Sequence, residues 1–151
     1  MFAFTPWLVF FAPATALLSP PAALQAIVGT WKSDGVISRC EWSPEHSWVV
    51  CDQKGTAEGK PIDVLCLYGY SPSRKEYVFF AVPEGTKTPF GAIVRIEGKK
   101  WTYVSNDAGD AKRFKTTNEF TSADSYQWEV LQSSDGEHWK VVKSGTSSRV
   151  K

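Results

Sequence analysis

What most constrains this chain is the rhythm of its apolar residues. From Thr30 onward, aromatic and β-branched runs recur at intervals of about 8 to 12 residues with turn-forming residues between them, and no long segment carries a helical period. The runs define nine candidate strands: Thr30 to Trp42, Trp48 to Lys54, Ile62 to Tyr70, Lys75 to Val82, Phe90 to Glu97, Lys100 to Ser105, Lys112 to Phe120, Ser125 to Gln132 and His138 to Ser144. Short turns such as Ser71-Pro72-Ser73-Arg74, Glu97-Gly98, Asn106 to Asp110 and Ser134-Asp135-Gly136 join neighbours closely, so the strands should pair in sequence order. A meander leaves two exposed edges unless it closes on itself, and closure removes them. The expected fold is therefore all-β, a single antiparallel up-and-down β-barrel, with a two-sheet β-sandwich as the alternative.

Strand alternation sorts the side chains by face. Tyr68 lies on the same face as Ile62, Val64, Cys66 and Tyr70; Phe79 joins Tyr77 and Ala81, Trp101 joins Tyr103, and Trp128 joins Tyr126 and Val130. In a small barrel such faces either fill the interior as core or line a ligand cavity. Tryptophan and tyrosine suit the wall of a site with a polar mouth. The expected lining is Trp31, Tyr68, Phe79, Trp101, Tyr103, Phe114 and Trp128, with Arg113 as a polar anchor. Trp48 and Val50 alternate to the other face, where they could form an outer apolar patch.

The chain has three cysteines, Cys40, Cys51 and Cys66. In Ser43-Pro44-Glu45-His46, serine first and proline second are the preferred start of a type I turn. A loop from Pro44 to Ser47 sets Ser43 opposite Trp48, and counting back sets Cys40 opposite Cys51, with Cα atoms about 4.5 Å apart if the pair is non-hydrogen-bonded. A structural disulfide fits there and would contribute about 2 to 3 kcal/mol. A tight turn at Glu58-Gly59 puts Cys66 opposite Cys51 on its other side, so a disulfide shared between Cys40 and Cys66 is open in principle. No C-x-x-C motif accompanies it. A metal centre uniting these cysteines with His46 is excluded by reach, because turn tip and cysteine pair lie roughly 15 Å apart along the strand. The other histidine, His138, follows a different turn. No nucleophile elbow, phosphate loop or H-E-x-x-H motif is present, and Asp107 with Asp110 reads as turn chemistry. The reading is of a protein without catalytic residues, metal or cofactor.

The first charged residue is Lys32. Phe2 to Ala12 is an apolar segment of signal-peptide length, and Ala14-Thr15-Ala16 supplies the small residues of a cleavage site, so Met1 to Ala16 is expected to be a signal peptide. Residues 17–27 form a lead-in with room for one helical turn, and 28–151 form the barrel domain. Pro6 and Pro13 interrupt the apolar run, which argues against a stable membrane span. Export to a periplasmic or secreted location would let disulfides persist. Seventeen lysines and arginines against sixteen acidic residues leave no basic field for nucleic acid. Oligomeric state is not legible.

Val28-Gly29-Thr30-Trp31-Lys32 resembles the G-x-W start of the first barrel strand in calycins, the superfamily of lipocalins and fatty-acid-binding proteins. With Cys40-Glu41-Trp42, Val50-Cys51, Leu67-Tyr68-Gly69-Tyr70, Glu76-Tyr77 and the hairpin Ser134 to Trp139, the chain from Pro20 to Lys151 resembles small, mostly bacterial exported proteins of lipocalin-like fold, classed as a domain of unknown function. The resemblance implies a barrel whose Trp31 plugs one end beside a basic residue from a late strand, with Arg113 and Arg149 as candidates. It also admits a haem-binding calycin, which would need an inward histidine that neither His46 nor His138 supplies. The usual T-D-Y signature of lipocalins is missing. The functional expectation is a small apolar or amphipathic ligand in the barrel interior, against an envelope interaction module acting through the outer patch.

Overall fold

The computed structural model describes residues 20–85, 89–105 and 113–151. A short helix α1, Pro20–Leu24, runs into a 3-10 turn, Gln25–Ile27, and then into strands only. In chain order these are β1 Gly29–Ser33, β2 Val36–Trp42, β3 Trp48–Ala57, β4 Lys60–Ser71, β5 Glu76–Pro83, β6 Phe90–Glu97, β7 Lys100–Ser105, β8 Arg113–Ser122, β9 Ser125–Ser133 and β10 Lys140–Arg149. Each pairs antiparallel with its sequence neighbours, and β1 pairs with β10 to close the barrel. The meander and its closure are as the strand rhythm implies; the sandwich is not formed. The expected signal segment, the Asn106 to Asp110 loop and Lys112 lie outside the described residues.

One expected strand is two. Thr30 to Trp42 is broken by Asp34 and Gly35, whose φ angles of 43° and 81° make a tight hairpin between β1 and β2. Asp-Gly is the residue pair that such a turn favours, because both central positions need positive φ. The end of the last strand also moves: β10 starts at Lys140 and continues through Arg149 rather than stopping at Ser144.

Three aromatic side chains lie over glycines directly opposite them: Trp48 over Gly69, Phe80 over Gly91 and Trp128 over Gly145. A Cβ on Gly69 or Gly145 would collide with the indole, so each pair fixes the local register while covering backbone that a glycine leaves bare.

One end of the barrel is sealed. Leu24 and Ile27 from the lead-in pack with Trp31, Cys40, Val49, Cys51, Cys66, Trp101 and Phe120 in the buried core. Trp31 donates its indole N–H to the Ile27 carbonyl at 2.8 Å, and the Arg149 guanidinium stacks 4.2 Å from its ring centre. Arg149, not Arg113, is thus the late-strand basic partner of Trp31. It also donates to the carbonyls of Val28, Ala26 and Ala123 and pairs with Asp124 at 3.3 Å. Gly29 is required beside it: φ is 126°, and any Cβ there would occupy the space of the guanidinium. The G-x-W stretch is therefore one device, a glycine that admits the arginine and a tryptophan that the arginine covers.

Candidate functional site

The inward faces of the strands do not fill the barrel. Between the sealed end and the opposite rim lies a chamber of about 410 Å³, well within the size of small-molecule sites. It exists because inward positions toward the rim are short: Ser33, Val36, Ser38, Ala57, Ala92, Ser105 and Thr116. The larger rings, Tyr68, Phe79, Phe90, Tyr103, Phe114, Tyr126 and Trp128, form its walls.

Of the residues expected to line it, Trp31, Tyr68, Phe79, Tyr103, Phe114 and Trp128 border the chamber. Trp101 does not. Its ring is buried below the floor, 5.4 Å from Phe120 and 6.3 Å from Tyr68, and belongs to the sealed end. Arg113 does not either: it precedes the inward Phe114 and so alternates to the outside, exposed and lying against Gly136. Two adjacent strand residues cannot share a face, so Phe114 and Arg113 could not both have been right. Tyr126 and Val130, placed on the Trp128 face by alternation, border it too; Phe90, Asn118 and Lys143 are members that the sequence reading did not single out.

The floor is polar but uncharged. Asn118 donates to the Tyr103 hydroxyl at 3.1 Å, Tyr103 shares a hydrogen bond with Tyr68, and Tyr126 shares one with Ser147. Burial raises the pKa of Tyr68, Tyr103 and Tyr126, so all three phenols are neutral near pH 7. The walls are held in tilted and edge-on ring contacts, Tyr68 to Phe79 at 4.9 Å, Phe79 to Tyr103 at 5.4 Å and Phe79 to Phe90 at 6.0 Å. At the rim, Trp128 donates its indole N–H to the Ser33 hydroxyl at 2.9 Å, and Ser33 donates to the Thr146 carbonyl at 3.1 Å. This ties the β1–β2 hairpin to β9 and β10.

The cysteines lie below the chamber. Cys40 and Cys51 are opposite one another and joined by a disulfide, Cα atoms 4.0 Å apart. The turn that closes their hairpin has the expected form, with the His46 N–H donating to the Ser43 carbonyl at 2.8 Å. Cys66 faces Cys51 from β4 as a buried thiol whose pKa burial pushes up to about 12. A thiol so rarely ionised is a poor nucleophile. Among the described residues no group of three or more histidine, cysteine or acidic side chains could hold a metal ion.

The fold and the chamber define a class: a closed up-and-down β-barrel, plugged at one end and opening at the other into an aromatic-walled cavity. No model of a known protein family matches the chain, and no curated protein matches its sequence.

Proposed function

We propose that the chain is an exported, lipocalin-like barrel that binds a small apolar or amphipathic molecule in its chamber. The observation that carries this reading is the chamber itself, about 410 Å³ bounded by rings and closed below by neutral hydroxyl and amide groups. A barrel meant only to be stable would fill such a space, since each unfilled volume forfeits packing contacts. The Cys40–Cys51 disulfide supports an oxidising compartment. Among the described residues no helix is long and apolar enough to cross a membrane. The haem-binding variant has no histidine to use: His46 lies at the β2–β3 turn, and His138 is tied to Asp135 at 2.7 Å on the exposed surface. The test is native mass spectrometry of the gently purified full chain. A retained small molecule, released on denaturation, supports the carrier reading. A bare mass that persists through a screen of apolar and amphipathic compounds rejects it.

A second reading rests on the outer faces of β3, β4 and β5. Leu65, Phe80 and Val82 are exposed there, and half-buried Trp48, Val50 and Leu67 adjoin them in register. Such a patch suits an envelope interaction module. Replacing Phe80 with aspartate should then abolish partner capture while leaving chamber binding intact; unchanged capture would reject the module.

A further inference from the structure

Among the described residues the chamber is lined by neutral groups except at its rim, where Asp34 and Lys143 are its two charged residues. Asp34 is explained by the turn it makes with Gly35. Lys143 has no such local reason, and β10 departs from regular structure to place it. Val141 pairs with Leu131 and Lys143 with Val130, so Val142 is an extra residue, a β-bulge. Carried on from the start of β10, regular alternation would turn Val142 inward and Lys143 outward. The bulge exchanges them: the valines are 45% and 49% exposed, and the lysine takes the inner row beside Trp128. Bulges commonly re-aim a side chain next to a functional site. Here an aromatic chamber receives an ammonium at its mouth in place of a valine.

Lys143 is held there by an exchangeable partner. Its Nζ is 3.0 Å from the Glu58 carboxylate and 6.0 Å from the centre of the Trp128 ring. Glu58 sits at the tip of the β3–β4 hairpin with φ of 52°, a conformation in which glutamate is uncommon. The hairpin extends past the β1–β2 turn, with the Thr56 N–H donating to the Gly35 carbonyl at 3.2 Å. A groove between the hairpin tip and β10 continues the chamber outward past Asp34, Ala57 and Lys143. The Lys143 and Glu58 side chains are 39% and 75% exposed, and ion pairs this wet are weak. Another anion reaching the mouth can take the place of Glu58.

We propose that the ligand is a monoanionic amphiphile, its carboxylate or sulfonate seated against Lys143 in place of Glu58 and its apolar body in the chamber. This rests on the carrier reading above. A single charge is specified because, among the described residues, Asp34 and Glu58 flank one lysine at the mouth, so a polyanion meets more repulsion than attraction there. The head faces out because, among the described residues, the interior holds no charged group to receive it.

Two probes with nearly the same ring system, anilinonaphthalene sulfonate and neutral phenylnaphthylamine, test this on the full chain. Fluorescence titration measures affinity, and amide chemical-shift changes at Ala92 and Thr116, rather than at Leu65 and Phe80, place the probe in the chamber. The sulfonate is expected to bind tighter than the amine. Relative to the amine, Lys143→Met should weaken the sulfonate about fivefold, and Glu58→Gln should strengthen it. The opposite signs separate recognition from a merely structural ion pair, whose loss would act alike in either variant. If the amine binds in the chamber and neither variant moves the sulfonate in its expected direction, the proposal is overturned while the carrier reading stands. If neither probe enters the chamber, both fall.

Discussion

The two ends of the barrel are built from the same strands and the same alternation, yet one is solid and the other hollow. At the sealed end the inward positions carry Trp31, Trp101 and Phe120, and the lead-in adds Leu24 and Ile27, so large buried side chains occupy the interior. Toward the mouth the same rows carry serine, alanine, threonine and valine, and two of the rings there, Phe90 and Phe114, are 42% and 46% exposed. Side-chain size along each strand, not strand geometry, decides where the chain is stable and where it can bind. Substitutions at one end should therefore move stability, and those at the other should move affinity.

The sharpest way to break that division is Trp31→Ala. Removing the fully buried plug should cost about 3–5 kcal/mol in chemical denaturation. A loss below about 1 kcal/mol, within the range of ordinary surface changes, would mean that the sealed end does not hold the fold. Removing the disulfide through Cys40→Ala with Cys51→Ala should cost about 2–3 kcal/mol in the same assay. In the unaltered chain, denatured without reductant, a thiol label should find one site, Cys66; three labelled sites would refute the pairing.

Alkaline titration sharpens the contrast further. The Cys66 pKa rises from 9.0 to about 12 on folding, so the unfolded chain releases this proton first. The stability it contributes is complete below about pH 9 and is lost as pH rises toward 12. Tyr68 and Tyr103, raised from 10.0 by burial, act in the same direction from about pH 10 upward. Denaturant midpoints measured from pH 7 upward should stay level and then fall; a rise would refute the assignment. The smallest stability effect belongs to the mouth. Phe114→Ala should change stability by less than about 1 kcal/mol while weakening phenylnaphthylamine binding, and the reverse outcome would erase the distinction between the ends.

Much of this was legible because hairpins propagate register. Once Ser43-Pro44 fixed one turn and Glu58-Gly59 the next, Cys40, Cys51 and Cys66 had to fall in one row, and they do. The inward rows of Tyr68, Phe79, Tyr103 and Trp128 followed from alternation alone. The errors have equally local causes. Asp34-Gly35 was read as the interior of a strand although its residue pair demands a turn. Trp101 shares a face with Tyr103 but lies closer to the plugged end, and alternation gives the face without the depth. Arg113 was placed inside against its own parity. Lys143 was invisible because a bulge resets the count, and no residue in Val141-Val142-Lys143 announces one.

The seam between β1 and β10 is the one strand pairing that neighbours in sequence cannot supply. Its register pairs are two, Trp31 with Arg149 and Lys32 with Ser148, whereas β3 and β4 share a long ladder from Trp48 to Lys60. Every other pairing can form as a hairpin while the rest of the chain is unstructured. The Arg149 bond to Val28 spans 121 positions, and loop closure on that scale is slow compared with a hairpin. The clasp that seals the barrel is thus also its kinetic gate: a sheet of paired strands can assemble early, yet no enclosed interior exists until Arg149 reaches across Gly29.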